Sequence, residues 1–597
     1  MVTQSDAVSP RNIIVSHANT YHDPAIAVLA EDQIYAEAME RHVQCKRALE
    51  MGRLWYSGRA LAAALAQRGI MPIENANVVS VSTWDEKLLY ESLERAGLTR
   101  EKLLDQPELA LEPAIMSCSL SLEQLYLNQL GWVLHGYPVN RSHLPEKSAY
   151  NLFRERGIST SKKTMPHHLA HAATAVYTSP FEECLVLVVD GFGEETATSV
   201  YHFVDNDFHL LSKNSPQNSL GSIYTLVTRL CGFNPYEGEE WKVMGLAAYG
   251  SKREKILRFF EELMVVRGMD VEFHYREDSL AVLEALVGGF RMHDDPDVMK
   301  AADLACNFQT VFEQVIVDLA KAVYETGRSS NLALAGGCAL NSAANGKIQQ
   351  MSGFKRLHVP SAPADDGNCL GAVLYEKYCV LGEARSPAVH SPYLGSELDL
   401  QHLEHILGFG KLNYEHMDSE QSLCTRVAQL LADGEIIGWI QGRAEFGPRA
   451  LGNRSILADP RSPDMKEQIN KKVKFREWFR PIAPSILHEF GEQYFEDYQE
   501  TPYMERTLPF RAHGKEKVPA VVHEDGTGRL QTVKEEWNPR FYRLLRAFHA
   551  KTGVPVLANT SFNVMGKPII HSVEDAVTVF YTTGLDYLVI DKYLISR

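Results

Sequence analysis

The chain is poor in paired cysteine, in positive charge and in long apolar runs. Nine cysteines are scattered through 597 residues and no two form a Cys-x-x-Cys pair. That argues against a disulfide scaffold or a zinc ribbon and fits a reducing compartment. Lys and Arg number 60 against 76 Asp and Glu, a net charge of −16. A chain so acidic is a poor match for a nucleic-acid partner. No apolar stretch reaches bilayer-spanning length, and Met1 to Asn12 has no apolar signal core. We therefore expect a cytoplasmic protein with no membrane and no nucleic-acid partner. The composition is 45% hydrophobic and 23% charged, as in soluble globular proteins, and the length calls for two or three domains.

Pro166-His167-His168-Leu169-Ala170-His171-Ala172-Ala173 is the first stretch with chemical content. The Ala-rich continuation favours helix, with Pro166 at a first helical position. Helical spacing would put His167 and His171 on one face, one turn apart, able to grip one metal ion, or equally to sit as surface histidines. An apolar strand from Leu185 to Val189 then runs into Asp190-Gly191.

The strand pattern repeats. Ile13 to Ser16, Ala25 to Leu29 and Gln33 to Glu37 read as three strands joined by polar turns. Leu185 to Val189, Thr198 to Phe203 and Phe208 to Ser212 read the same way, which suggests a duplicated fold with a nucleotide cleft between its halves. Arg59 to Arg68 reads as a helix. Leu332 to Ala335 is a short buried strand before the turn Gly336-Gly337-Cys338-Ala339-Leu340-Asn341, which lets a backbone approach a nucleotide closely.

Residues 383 to 396 are rich in Pro and Ser and lack periodicity, so we place a domain boundary there, giving domains 1–395 and 396–597. Beyond it lies a dense basic tract inside an acidic protein: Arg443, Arg449, Arg454, Arg461, Lys471, Lys472, Lys474, Arg476 and Arg480. Guanidiniums hold phosphate bidentately, so the tract suits a polyanionic ligand. A late strand, Val554 to Leu557, leads into Asn559-Thr560-Ser561-Phe562-Asn563.

Taken in order, several phrases resemble the O-carbamoyltransferases that act on nodulation factors, cephalosporins, ansamycins and tobramycin. They are His22-Asp23, Glu40-Arg41, His167-His168-Leu169-Ala170-His171, Val189-Asp190-Gly191, Lys242-x-Met244-Gly245-Leu246-Ala247 and Gly336-Gly337-x-x-Leu340-Asn341. Gly442-Arg443-x-Glu445-x-Gly447-Pro448-Arg449-Ala450-Leu451-Gly452-x-Arg454-Ser455, Arg476-Glu477-Trp478-x-Arg480-Pro481 and Asn559-Thr560-Ser561-Phe562-Asn563 follow. The resemblance covers almost the whole chain.

It implies an α/β chain: a duplicated actin/Hsp70/sugar-kinase-like (ASKHA) domain followed by a YrdC-like α/β domain. It also implies a two-step reaction. ATP, with Mg, and carbamoyl phosphate give carbamoyl-adenylate in the C-terminal domain, and the carbamoyl group then moves to a hydroxyl of a small-molecule acceptor in the N-terminal domain. Lys474-x-Arg476 and Ser561-x-Asn563 match the YrdC-type signature, with Arg443, Arg449, Arg454 and Arg480 as further phosphate ligands. By the same resemblance Gly336, Gly337 and Asn341 are expected to bind the adenosine part. His167, His171, Asp190 and Asp365 form the metal set, with Asp366 a rival for the last place. Fe(II) is the expected ion, with Mn and Zn as alternatives. The resemblance further implies His22 as the general base and Lys242 as a neutraliser of substrate oxygens.

Two departures from the family pattern, Pro24 with Ile26 and the acidic run Tyr236-Glu237-Gly238-Glu239-Glu240-Trp241, bear on the acceptor. Glu237, Glu239 and Glu240 suit a cationic one. A tRNA-threonylcarbamoyladenosine synthase fusion is the alternative, which the acidic charge disfavours.

Overall fold

The computed structural model describes residues 12–18, 23–48, 77–85, 121–125 and 160–597, with positions 66, 87, 88 and 91 besides. His22 and, apart from Ala66, the expected Arg59–Arg68 helix lie outside them.

Two five-stranded sheets share one plan. In the first, β1 (Asn12–Ala18), β2 (Ala25–Ala30) and β3 (Gln33–Ala38) form an antiparallel meander. β4 (Asn77–Ser82) and β5 (Thr160–Thr164) then add in parallel beyond β1. In the second, β6 (Cys184–Val189), β7 (Thr198–Val204) and β8 (Asp207–Lys213) make the meander. After the hairpin β9 (Met264–Arg267) and β10 (Asp270–Phe273), β11 (Asn331–Ala335) and β12 (Arg356–His358) add in parallel beyond β6. The orders β5–β4–β1–β2–β3 and β12–β11–β6–β7–β8 correspond strand for strand. The tandem pattern in the sequence is thus a duplication of topology. β6 is buried along its whole length, which is why it reads as an unbroken apolar run rather than an alternating one.

The His167–Tyr177 helix and the Asn368–Tyr375 helix lie between the two sheets, in a core shared by Ile14, Ala25, Val186, Val188, Ala333 and Leu370. A helix covered on both sides needs small residues. A Cβ on Gly371 would stand 2.2 Å from the Ala170 carbonyl oxygen. Pro166 stands just before the first helical residue, at the N-cap. The carboxylate of Glu194 accepts the His167 backbone N–H at 3.0 and 3.2 Å.

The rest of the chain builds a nine-stranded sheet from β13 (Asn413–His416), β14 (Ile437–Ile440), β15 (Arg454–Ala458), β16 (Ala483–Leu487), β17 (Arg506–Pro509), β18 (Thr527–Val533), β19 (Val556–Ser561), β20 (Tyr587–Ile590) and β21 (Tyr593–Ser596). Its order is β13–β21–β20–β14–β15–β19–β16–β18–β17, with a core of its own. The two parts interlock. Phe446 and Phe479, from the C-terminal part, are buried in the two N-terminal cores. Gly447, at φ +120°, passes so close that a Cβ would lie 2.1 Å from the Ser361 carbonyl oxygen. Among the described residues no helix is long and apolar enough to cross a membrane.

A buried polar knot ties the first sheet to the C-terminal part. The Glu37 carboxylate accepts from Tyr35 Oη at 2.8 Å, Ser396 Oγ at 3.0 Å and His42 Nε2 at 3.1 Å, with His571 Nδ1 at 3.5 Å. Burial pushes this carboxyl up, but His42 and His571 outweigh it and hold it well below the usual carboxylate range. Donors already surround both oxygens, so no metal is needed to explain the group.

This packing can be tested at two points. Gly371→Ala should lower stability by about 1–3 kcal/mol through overpacking against the His167 helix, read by urea unfolding. A carboxyl with a depressed native pKa adds stability above its unfolded value of about 4.3, and this is lost as pH falls through the native value. Acid-unfolding curves should therefore show Glu37→Gln less stable at neutral pH and less sensitive to pH below about 4.3.

Candidate active site

Four side chains converge where the interior helix meets the ends of β6 and the 365–367 turn. Their nearest ligand atoms lie within 4.8 Å of one another: His167, His171, Asp190 and Asp365, all buried. His167 Nε2 is 3.2 Å from Asp190 Oδ2 and 3.4 Å from Asp365 Oδ1. His171 Nε2 is 3.5 Å from each of those two oxygens and 3.2 Å from His167 Nε2. The far nitrogens are held from behind: His171 Nδ1 by the Pro363 carbonyl at 3.1 Å, and His167 Nδ1 by the Asn368 side-chain amide at 3.2 Å and the Thr83 carbonyl at 3.4 Å. With Nδ1 as the donor on each ring, both Nε2 lone pairs face two carboxylate oxygens. Such an arrangement repels itself unless a proton or a cation lies among the four. Burial alone would lower both imidazoles, yet Asp365 and Asp190 raise His167 well above its ordinary value and Asp190 raises His171. The donor set, two imidazoles and two carboxylates, suits a divalent transition metal.

Asp365 rather than Asp366 brings its carboxylate to the histidines. Asp366 instead accepts its neighbour's N–H, Gly367 N, at 3.0 Å, and burial beside Asp23 and Glu40 pushes it up to about 7. His168 faces away onto Ser199 Oγ at 2.8 Å, and burial drives it down to about 3. Gly337 N–H donates to Asp190 Oδ1 at 2.7 Å. Gly336 makes that turn possible: at φ +92° its Cβ would fall 2.2 Å from the Val189 carbonyl oxygen.

A cavity of about 500 Å³ opens beside this cluster and runs to the C-terminal part. Asp190, Asp365, Gly337 and Asn341 line one end; Arg449, Lys474, Arg476, Arg480, Ser561 and Asn563 line the other. Lys474 Nζ donates to the Ser561 carbonyl at 2.7 Å and to Ser561 Oγ at 3.2 Å, and also contacts Asn563 Oδ1. Arg476 Nε donates to Asn470 Oδ1 at 2.6 Å. Desolvation, then the neighbouring guanidiniums, holds Lys474 and Arg476 well below their ordinary values, and burial brings Arg449 and Arg480 down to about 10. Cations depressed by burial and by each other call for an anion.

Several expected residues are placed differently. Arg443 is on the surface, 3.1 Å from Glu397 Oε1. Arg454 is buried away from the cavity and donates to the carbonyls of Gln441, Gly442, Asn453 and Ser396, so it braces the loop. Lys242 points off the cavity wall into two carboxylates, Glu239 at 2.5 Å and Glu477 at 2.6 Å. Asn341 caps the Ser342–Ser352 helix and bonds Gln309, leaving its amide largely committed.

The cavity also holds residues that no motif indicated. Arg529 adds a guanidinium from β18, held well below its ordinary value by burial and by Arg449, Arg476 and Arg480. It is a lone arginine in a strand, and only sheet pairing brings it here. Lys46 and Arg47 also line the cavity, with Asp23, Glu40, Glu237 and Glu240. Arg47 Nε donates to Asp23 Oδ2 at 3.2 Å and its Nη1 to the Pro235 carbonyl at 3.0 Å.

Two family models match the chain in order. The family model "Carbamoyltransferase N-terminus" matches residues 14–374 and "Carbamoyltransferase C-terminus" matches residues 428–597. Nodulation protein NolO of Bradyrhizobium diazoefficiens is 36% identical over 444 residues, 72% of this chain and 79% of that protein. Nodulation protein NolNO of Sinorhizobium fredii is 37% identical over 439 residues, 72% of this chain and 63% of that protein. Nodulation protein U of Rhizobium tropici is 28% identical over 581 residues, 92% of this chain and 90% of that protein. With both halves matched in order by the family's two models, the chain belongs to the carbamoyltransferase family.

Proposed function

We propose that the chain is an ATP-dependent O-carbamoyltransferase working through carbamoyl-adenylate. The observation that carries this reading is one continuous cavity, lined both by the basic phosphate cradle and by Asp190 and Asp365 of the histidine–aspartate cluster. We read the N-terminal part as an actin/sugar-kinase-type domain and the C-terminal part as YrdC-like, with the boundary near residue 396.

In the first step carbamoyl phosphate loses its phosphate to water. The carbamate oxygen attacks the α-phosphorus of Mg-bound ATP and pyrophosphate leaves. Lys474, Arg476, Arg480, Arg449 and Arg529 offset the repulsion between the two polyanions and hold the charge that builds on phosphorus. Ser561 and Asn563 fix the Lys474 ammonium. The intermediate then reaches the other end of the cavity without entering bulk water, which protects it from hydrolysis.

There an acceptor hydroxyl oxygen attacks the carbamoyl carbon, His22 takes its proton, and AMP leaves. A divalent ion on His167, His171, Asp190 and Asp365, Fe(II) by first expectation, would supply Lewis-acid stabilisation to the departing phosphate. Gly337 holds Asp190 in place for it, and Glu194 anchors the first turn of the histidine helix.

The acceptor is a small hydroxylated molecule of secondary metabolism, in the class of antibiotics or toxins. Glu237 on the cavity wall, with Glu240 beside it 3.7 Å from Arg47 Nη1, suits a cationic acceptor such as an aminoglycoside or a guanidinium alkaloid. Glu239 is already tied to Lys242.

Carbamoyl-phosphate-dependent exchange of labelled pyrophosphate into ATP reads the first step, and mass gain of one carbamoyl group on a panel of hydroxylated, partly cationic metabolites reads the second. Lys474→Ala should abolish exchange and transfer together. His167→Ala, or removal of metal by a chelator, should stop transfer while exchange continues. Loss of exchange in folded His167→Ala would overturn this division of labour.

A further inference from the structure

The tract Arg476 to Pro481 faces two ways. Arg476 and Arg480 line the cavity, while Glu477 and Phe479 turn to the N-terminal part. Phe479 is buried beside Val243 and Leu246. It packs over Gly245, where an added Cβ would come within 3.9 Å of its ring. Trp478 meets Tyr249 edge-on, with centroids 5.0 Å apart. The phosphate cradle is thus seated on the Glu240–Ala247 helix of the other domain.

Lys242 lies in the first turn of that helix. Its ammonium sits between Glu239 Oε1 at 2.5 Å and Glu477 Oε1 at 2.6 Å. The second oxygen of Glu477, Oε2, is buried and makes no hydrogen bond. It lies 3.6 Å from Arg480 Nη1, too far for one. Arg480 itself is flat on Trp241, its Cζ 3.6 Å from the ring centroid, with the ring and the guanidinium both on the cavity wall.

Glu477 therefore has two cations to choose from. A carboxylate released from Lys242 needs only a small rotation to take Arg480 in a bidentate pair. In that pair the Arg480 charge is neutralised and its N–H groups are turned from the cavity.

We propose that Lys242 is a positioning residue for the first half-reaction: by holding Glu477 it keeps Arg480 stacked on Trp241 and available to phosphate. The adenylate-forming site would then be complete only when the N-terminal domain is docked. This inference rests on the reading of function given above.

The test needs no acceptor. Full-length protein is assayed for carbamoyl-phosphate-dependent pyrophosphate exchange, and ATP binding is measured directly by calorimetry. Lys242→Met should lower exchange by about 100-fold, the size of effect a misplaced binding group produces, and weaken ATP binding. Lys242→Arg should stay near the unsubstituted protein.

The deciding variant is Lys242→Met combined with Glu477→Gln. The neutral amide that Glu477→Gln introduces cannot trap Arg480 as an anion. The double variant should therefore recover at least about ten-fold of the loss, the non-additivity expected of residues acting through one partner. Wild-type exchange in folded Lys242→Met would overturn the inference. So would a double variant no better than the single, because a merely structural salt bridge would not be rescued by removing its second half. If Lys242→Met does not fold, Lys242→Gln is read in the same pair. If the unsubstituted protein shows no exchange, the proposed reaction fails, and the ATP-binding pattern of the same variants still decides the role of Lys242.

Discussion

Like charge is concentrated out of water at one end of a single cavity, and much of the structure exists to tolerate it. Lys474, Arg476, Arg480, Arg449 and Arg529 converge there, and for Arg529 the neighbouring charges that matter are other guanidiniums. Desolvation and mutual repulsion both oppose keeping such groups charged. The one carboxylate inside the tract, Glu477, is drawn off by Lys242. The other oxygen of Glu477 stands 3.6 Å from Arg480, so the guanidiniums are only partly offset by a carboxylate of their own tract.

At the other end the problem is inverted. Two carboxylates and two imidazole lone pairs meet within a few ångströms, and here a cation relieves the repulsion. Carbonyls behind each ring fix its orientation, and the Gly336-Gly337 turn brings an N–H onto Asp190. The histidine helix is held between two sheets by small residues, so its ligating face cannot drift without disturbing both cores.

The interlock between the two parts makes these ends neighbours. Phe446 and Phe479 are C-terminal residues buried in N-terminal cores, and each lies next to a loop that feeds the cavity. Burial of such aromatics supplies the docking energy, and the polar groups beside them set the register. The same tract therefore serves packing with Phe479 and lines the cavity with Arg476 and Arg480.

The duplicated strand pattern and the one-turn His167–His171 spacing were legible in the amino-acid order, because each is carried by short-range periodicity. Asp365 as a partner of the histidines, and the Lys474, Arg476, Ser561, Asn563 constellation, were legible only through likeness to carbamoyltransferase motifs. Which charges face the cavity was settled by the assembled fold alone. Arg443 and Arg454 stand in the same dense motif as Arg449, yet one is exposed to Glu397 and the other is buried among carbonyls. Lys242 sits in a family phrase but meets carboxylates that come from both parts of the chain. Arg529, with no motif around it, reaches the cradle through β18. Where a long side chain points depends on partners distant in sequence, and no local spacing encodes them.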